Sequence, residues 1–170
     1  MSEVYVIGVG QTPFGRFPNS SVRALAAAAA RAALADAGCT PDRIEAVFFA
    51  NAGQGAMDGQ HSIRGQLALR DFRFGPIPVV NVENACAGAA TAFNMAVAQI
   101  RAGLAEIVLA AGAEKLSDPD RTRSMAVFDG SWDVHDVAGN MARLMRMGDG
   151  VETPAALRPT SMTTTGKVSV

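Results

Sequence analysis

The chain has 170 residues, 49% hydrophobic and 18% charged, the proportions of a soluble globular protein with room for one full core and not for two. Its 15 basic and 16 acidic residues leave a net charge of −1, which offers no electrostatic footprint for nucleic acid or an anionic membrane. The N-terminal "MSEVYVIGVGQ" lacks the basic lead of a secretory signal, and the most apolar helix candidate, residues 24–37, is interrupted by Arg31 and Asp36. Neither a leader nor a membrane span is expected, and the expected location is cytoplasmic.

In chain order, "VYVIGV" (Val4–Val9) reads as a first strand that runs into the loop "GQTPFGRFPNSS". Ser20 or Ser21 can cap an alanine-rich helix that reaches about Ala37 and stops at Gly38. Ile44–Ala50 is the next strand, "NAGQGAMDGQ" a loop, and His61–Arg70 a short helix whose Ile63, Leu67 and Leu69 face a core while Arg64 and Arg70 stay wet. Beyond Pro76 and Pro78, Val79–Glu83 is a strand and Cys86–Arg101 a helix ending at Gly103. Glu106–Ala111, continuously apolar after its first residue, reads as a strand buried on both faces in the middle of a parallel sheet. The β-α-β-α-β-α-β alternation predicts a layered α/β domain with a mostly parallel sheet. From Glu114 the chain turns charged and irregular, with at most one short helix, near Met141–Met147. The expected organisation is an α/β domain over 1–113, a loop region over 114–159 and a disordered tail over 160–170.

Most chemical motifs fail on inspection. "GVGQTPFG" follows a strand, yet Pro13 stands where a dinucleotide fingerprint needs its third glycine, and the helix begins too late to meet a pyrophosphate. His61 and His135 are the only histidines and neither has a ligand partner at metal spacing, so no metal site is expected. Met141, Met145 and Met147 near helical spacing predict packing, and the mixed run Lys115, Asp118, Asp120, Arg121, Arg123 predicts a solvated loop.

The two cysteines form neither a disulfide framework nor a zinc pattern, and both are read as free thiols. They differ in setting. Cys39 follows Gly38 at the end of a helix, where exposed carbonyls oppose an anion. Cys86 opens a helix, where unpaired N–H groups favour a thiolate and can hold an oxyanion formed by attack on a carbonyl. Small neighbours, Ala85, Ala87, Gly88 and Ala89, leave the backbone approachable. Free cysteine is also among the most buried residue types, so spacing leaves Cys86 open between nucleophile and core thiol.

The segments "NVENACAGAATAFNMAVAQIRAG" and "AEIVLAAGAEKLSD" resemble the nucleophile region of the thiolases, especially the sterol-carrier-protein type. In the same order, "VYVIGVGQTPFGRF" is similar to that family's first strand and loop, "GQGAMDGQHSIRGQLAL" to its Gly-Gln-x-x-x-Arg segment, and "FDGSWDVHD" to its loop region. The resemblance reaches about Pro159. It implies an acyl-CoA acyltransferase of lipid metabolism in which Cys86 accepts the acyl group as a thioester, with coenzyme A thioester as substrate and no covalently bound cofactor. It also implies a partner, either a second copy paired through the strand before Cys86 or a C-terminal thiolase half. Gly88 and Ala89 stand where the family more often has serine and glycine, and the motifs of the family's second half, a Gly-His-Pro histidine and a second cysteine, are not found here. The expectation is the nucleophile-bearing N-terminal half of such an enzyme, from a truncated, frame-shifted or naturally split chain, with apolar surface uncovered where the other half docks. The alternative is a non-catalytic interaction or structural subunit that keeps the fold.

Overall fold

The computed structural model describes residues 3–147. They fall into two compact units, one from the N-terminus to Leu116 and one beginning at Ser117. The tail expected over 160–170 lies outside the described residues.

In the first unit, Ser21 accepts a hydrogen bond from Ala24 N and so caps helix α1, Val22–Asp36. The helix closes at Gly38, whose φ of +58° is the left-handed conformation that a residue without Cβ takes at no steric cost. Strand β1, Ala46–Ala50, is buried along its whole length. The expected loop after it contains a short helix α2, Gln54–Asp58, closed by Gly59 at φ +80°. Helix α3, Arg64–Ala68, follows, and a 3₁₀ turn at Arg70–Phe72 leads toward strand β2, Val79–Val82. Helix α4, Gly88–Arg101, and strand β3, Val108–Gly112, complete the unit.

The sheet is parallel, in the order β2-β1-β3, with Phe48 opposite Val80 on one side and Ala110 on the other. Alternation along β1 sends Val47 and Phe49 to one face and Ala46, Phe48 and Ala50 to the other. The first set packs with Ala30 and Leu34 of α1, Leu69 and Phe72; the second packs with Ala92 and Ala96 of α4. A helix–sheet–helix layering results, as the alternation predicts.

Three expectations for the first unit are corrected. Val4–Val9 is not a strand: it makes no ladder among the described residues, and Tyr5, Val6, Ile7 and Val9 are exposed. The segment lies on α1, with Val9 N donating to Asp36 Oδ2 at 2.9 Å and Gly8 and Gly10 so close to the helix backbone that any Cβ would collide with it. A β-rich sequence becomes a strand only where a partner strand lies within ladder distance, and here residues 4–10 line an apolar cavity of about 420 Å³ together with β3 and residues of α1 and α4. β3 is an edge strand and only Leu109 in it is fully buried, so the middle strand is β1. At the start of α3 the expected facing is reversed at two positions: Ile63, just before the helix, is exposed at φ +48°, while Arg64 is half-buried.

The second unit has more helix than the sequence predicts: α5, Arg121–Ala126, a 3₁₀ turn at Val127–Ser131, and α6, Val137–Met147. Asp120 caps α5 by accepting from Thr122 N. Of the methionines expected to pack on α6, Met141 is half-buried while Met145 and Met147 are exposed among the described residues. The charged run serves as local bracing. Arg123 pairs with Asp118 at 2.8 Å in this unit, and in the first Lys115 Nζ donates to the carbonyls of Pro18 and Ser20 at 3.0 and 2.7 Å. Among the described residues no helix is long and apolar enough to cross a membrane.

Candidate functional site

Strand β2 delivers its C-terminal end to the rim of the sheet, where the loops of a parallel α/β domain gather and ligands of open α/β sheets commonly bind. Val82 is the last residue anchored in the core. Asn84 then takes φ −155°, ψ 48°, and Ala85 enters the left-handed region at φ +44°, a conformation uncommon for a residue with a Cβ. Ala85–Ala87 form a 3₁₀ turn that runs directly into α4, so Cys86 stands in the lead-in to the helix and not in its first α-turn. The chain does not bury the thiol. Cys86 is exposed among the described residues.

The hydrogen bonds of this turn are local. Ala85 N donates to Glu83 Oε1 at 2.7 Å, Ala87 N to the Asn84 carbonyl at 2.9 Å, and Gly88 N to the Ala85 carbonyl. The Asn84 amide donates to Thr91 Oγ1 at 2.9 Å, and that hydroxyl donates to the Ala87 carbonyl at 3.0 Å, which ties the turn to the next turn of α4. Cys86 N–H has no acceptor among the described residues. α4 starts without a side-chain cap, whereas α1 has Ser21. Gly88 sits over β1, where a Cβ would come within 3.5 Å of Ala50 Cβ, so small residues on both sides let the turn rest on the sheet. One residue thus offers an accessible sulfur and an uncommitted N–H, the minimal pair for attack on a carbonyl and for holding the oxygen that becomes negative.

Cys39 is placed differently. It is half-buried after the end of α1, with its Sγ–H directed to the Thr40 carbonyl at 3.5 Å. His61 and His135 are exposed, on separate units, and no cluster of three or more metal-ligating side chains occurs among the described residues.

A second polar group on the same rim is not apparent from the sequence. Asn51, 4% exposed, donates to the Ala113 carbonyl at 2.7 Å and accepts from Gln54 N and Arg64 Nη1, both at 3.1 Å. Glu114 accepts from the N–H groups of Ala52 and Gly53. These bonds join the C-terminal ends of β1 and β3. The only sequence signal is a polar residue that ends each apolar strand.

A three-layer α/β domain with a cysteine at a strand-to-helix turn is the class this architecture defines. The chain belongs to the thiolase family: the pattern described as "Thiolase, N-terminal domain" matches residues 4–151. It is 35% identical over 118 residues to an acetyl-CoA acetyltransferase of Methanocaldococcus jannaschii, covering 69% of this chain and 30% of that one. To sterol carrier protein 2 of Gallus gallus it is 36% identical over 116 residues, 67% of this chain and 20% of the other. Among solved structures, the acetyl-CoA acetyltransferase of Syntrophomonas wolfei superposes with a TM-score of 0.55 at 25% identity, covering 61% of this chain and 26% of that one. The chain therefore spans about a third or less of the length of these relatives.

Proposed function

We propose that this chain is the nucleophile-bearing N-terminal half of a thiolase-type acyl-CoA acyltransferase, with Cys86 as the residue that accepts the acyl group. The observation that carries the reading is the turn at Ala85–Ala87, which holds an exposed thiol and an uncommitted N–H on the same residue at the rim of the sheet. In the proposed step the Cys86 thiolate attacks the carbonyl carbon of an acyl-CoA thioester. The carbonyl oxygen becomes an oxyanion that Cys86 N–H can hold, the carbon–sulfur bond to coenzyme A breaks, and coenzyme A leaves as its thiolate. Cys86 retains the acyl group as a new thioester. A soluble homo-oligomer or a complex with a C-terminal thiolase half is the working form that this reading implies, and such a half would supply the proton-transferring groups.

The test is mass spectrometry of the full chain incubated with acyl-CoA of short and long chain length, with and without a thiolase C-terminal half. An adduct of one acyl mass on the peptide containing Cys86, absent in Cys86→Ala, is the expected result. No adduct under any of these conditions overturns the reading in favour of a non-catalytic subunit, for which Cys86→Ala would leave partner binding unchanged.

A further inference from the structure

Ala85 holds an unfavourable conformation immediately before Cys86. At φ +44° its Cβ crowds the backbone, at a cost that a non-glycine residue bears only when its surroundings impose it. The polar contact that the structure makes to the Ala85 backbone N–H is the carboxylate of Glu83, two residues earlier, at 2.7 Å. Glu83 is exposed, and neither Arg nor Lys pairs with it among the described residues, so this contact is what occupies its Oε1. The bond also has a directional consequence. It commits the Ala85 N–H to the Glu83 carboxylate, while Ala87 N–H and Gly88 N–H are bound within the turn to the carbonyls of Asn84 and Ala85. The Cys86 N–H alone of these is left uncommitted beside the sulfur.

We propose that Glu83 is a positioning residue for Cys86: its carboxylate oxygen clamps the left-handed Ala85 and thereby presents the Cys86 thiol and N–H together at the start of α4. The inference rests on the reading of Cys86 as acyl acceptor for its purpose, though the clamp itself can be tested without it. When the clamp is lost, Ala85 relaxes toward the ordinary right-handed region, and Cys86 rotates away from the open N–H groups at the head of α4.

The test uses the full chain and compares Glu83→Gln with Glu83→Ala. Both remove the negative charge, so any difference between them isolates the oxygen acceptor, which Gln keeps and Ala lacks. The readout is the rate of iodoacetamide labelling at Cys86 divided by that at Cys39 on the same molecule, from peptide mass spectrometry. Glu83→Gln is expected to label at Cys86 about fivefold faster than Glu83→Ala, the scale of one net hydrogen bond. The double variant Glu83→Ala with Ala85→Gly is expected to return to the Gln rate, because glycine holds positive φ without the clamp. If Glu83→Ala does not fold, Glu83→Met, neutral and of similar length, replaces it. Equal ratios in the Gln variant and the acceptor-less variant, or no recovery with Ala85→Gly, overturn the proposal. An acyl adduct on wild-type Cys86 with equal ratios sinks the clamp and leaves the acyltransferase reading standing, whereas unequal ratios without any adduct do the reverse.

Discussion

On the sheet face covered by α1 and α3, the space is filled by Val47, Phe49, Leu69, Phe72 and Leu109, while on the face covered by α4 the contacts are made chiefly by Phe48 with Ala46, Ala50, Ala92 and Ala96. The helices begin differently as well. α1 starts under a side-chain cap, and α4 starts from a left-handed alanine with no side-chain cap and with Cys86 in its lead-in. Bulk and capping satisfy one side of the domain, whereas small residues and an open helix start leave the other side available to chemistry. The difference teaches where the fold is anchored and where it is free to present a group.

The comparison breaks first at Phe49. It is 1% exposed in the central strand, so Phe49→Ala should cost about 3–5 kcal/mol in urea unfolding. A loss below about 1 kcal/mol would mean that the α1 face does not anchor the domain. The α4 face should fail in the opposite sense, through crowding. Ala92, also 1% exposed, replaced by Leu should cost about 1–3 kcal/mol and should lower the Cys86-to-Cys39 labelling ratio, because the overpacked helix carries the cysteine turn with it. Full stability together with an unchanged ratio would show that small residues are not what seats α4.

A smaller effect belongs to the start of α1. Ser21→Ala removes the bond to Ala24 N and should cost about 1 kcal/mol by thermal unfolding without altering Cys86 labelling. A change in labelling would show that the two helix starts are coupled.

The smallest effect is pH-dependent and lies on the α1 side. A hydrogen bond from Arg23 holds the Asp71 carboxyl below the ordinary carboxylate range, with the charges of Arg23, Arg70 and Arg31 acting in the same direction and desolvation opposing them. A carboxyl whose folded value is depressed stabilises the fold above its unfolded value, and the benefit disappears as pH falls through the folded value. Asp71→Asn should therefore be slightly less stable than wild type near neutral pH. That gap should narrow below about pH 4 and close in stronger acid, with urea midpoints measured across the range as the check. A gap independent of pH would assign it to packing.

Much of the architecture was legible in residue patterns. The alternation of β-rich runs with alanine-rich helices, punctuated by Gly38 and Gly103, predicts the layered parallel fold, and Ser21 is readable as a cap. Val4–Val9 misleads, since β-propensity reports a preference for a pleated, half-buried surface and carries no information about whether a partner strand is there to pair with. The order of strands was equally hidden: "EIVLAA" reads as central and proves to be an edge, because an apolar run reports burial in general and not the neighbours that bring it about. For the candidate site, Cys86 and its small neighbours are visible in the string, but the roles of Glu83, Asn51, Arg64 and Glu114 depend on carbonyls and N–H groups that come together only on folding.

By itself, then, the sequence determined that the two long helices α1 and α4 form, that a parallel sheet lies between them, and that one cysteine stands at the beginning of a helix, since these follow from local propensity, punctuation and periodicity. Tertiary structure decided that β1 is the central strand, that Val4–Val9 stays unpaired against α1, and that Cys86 faces outward behind a left-handed Ala85. Those outcomes depend on which partners meet across tens of residues, and a backbone hydrogen bond or a buried face has no preference until its partner is in place.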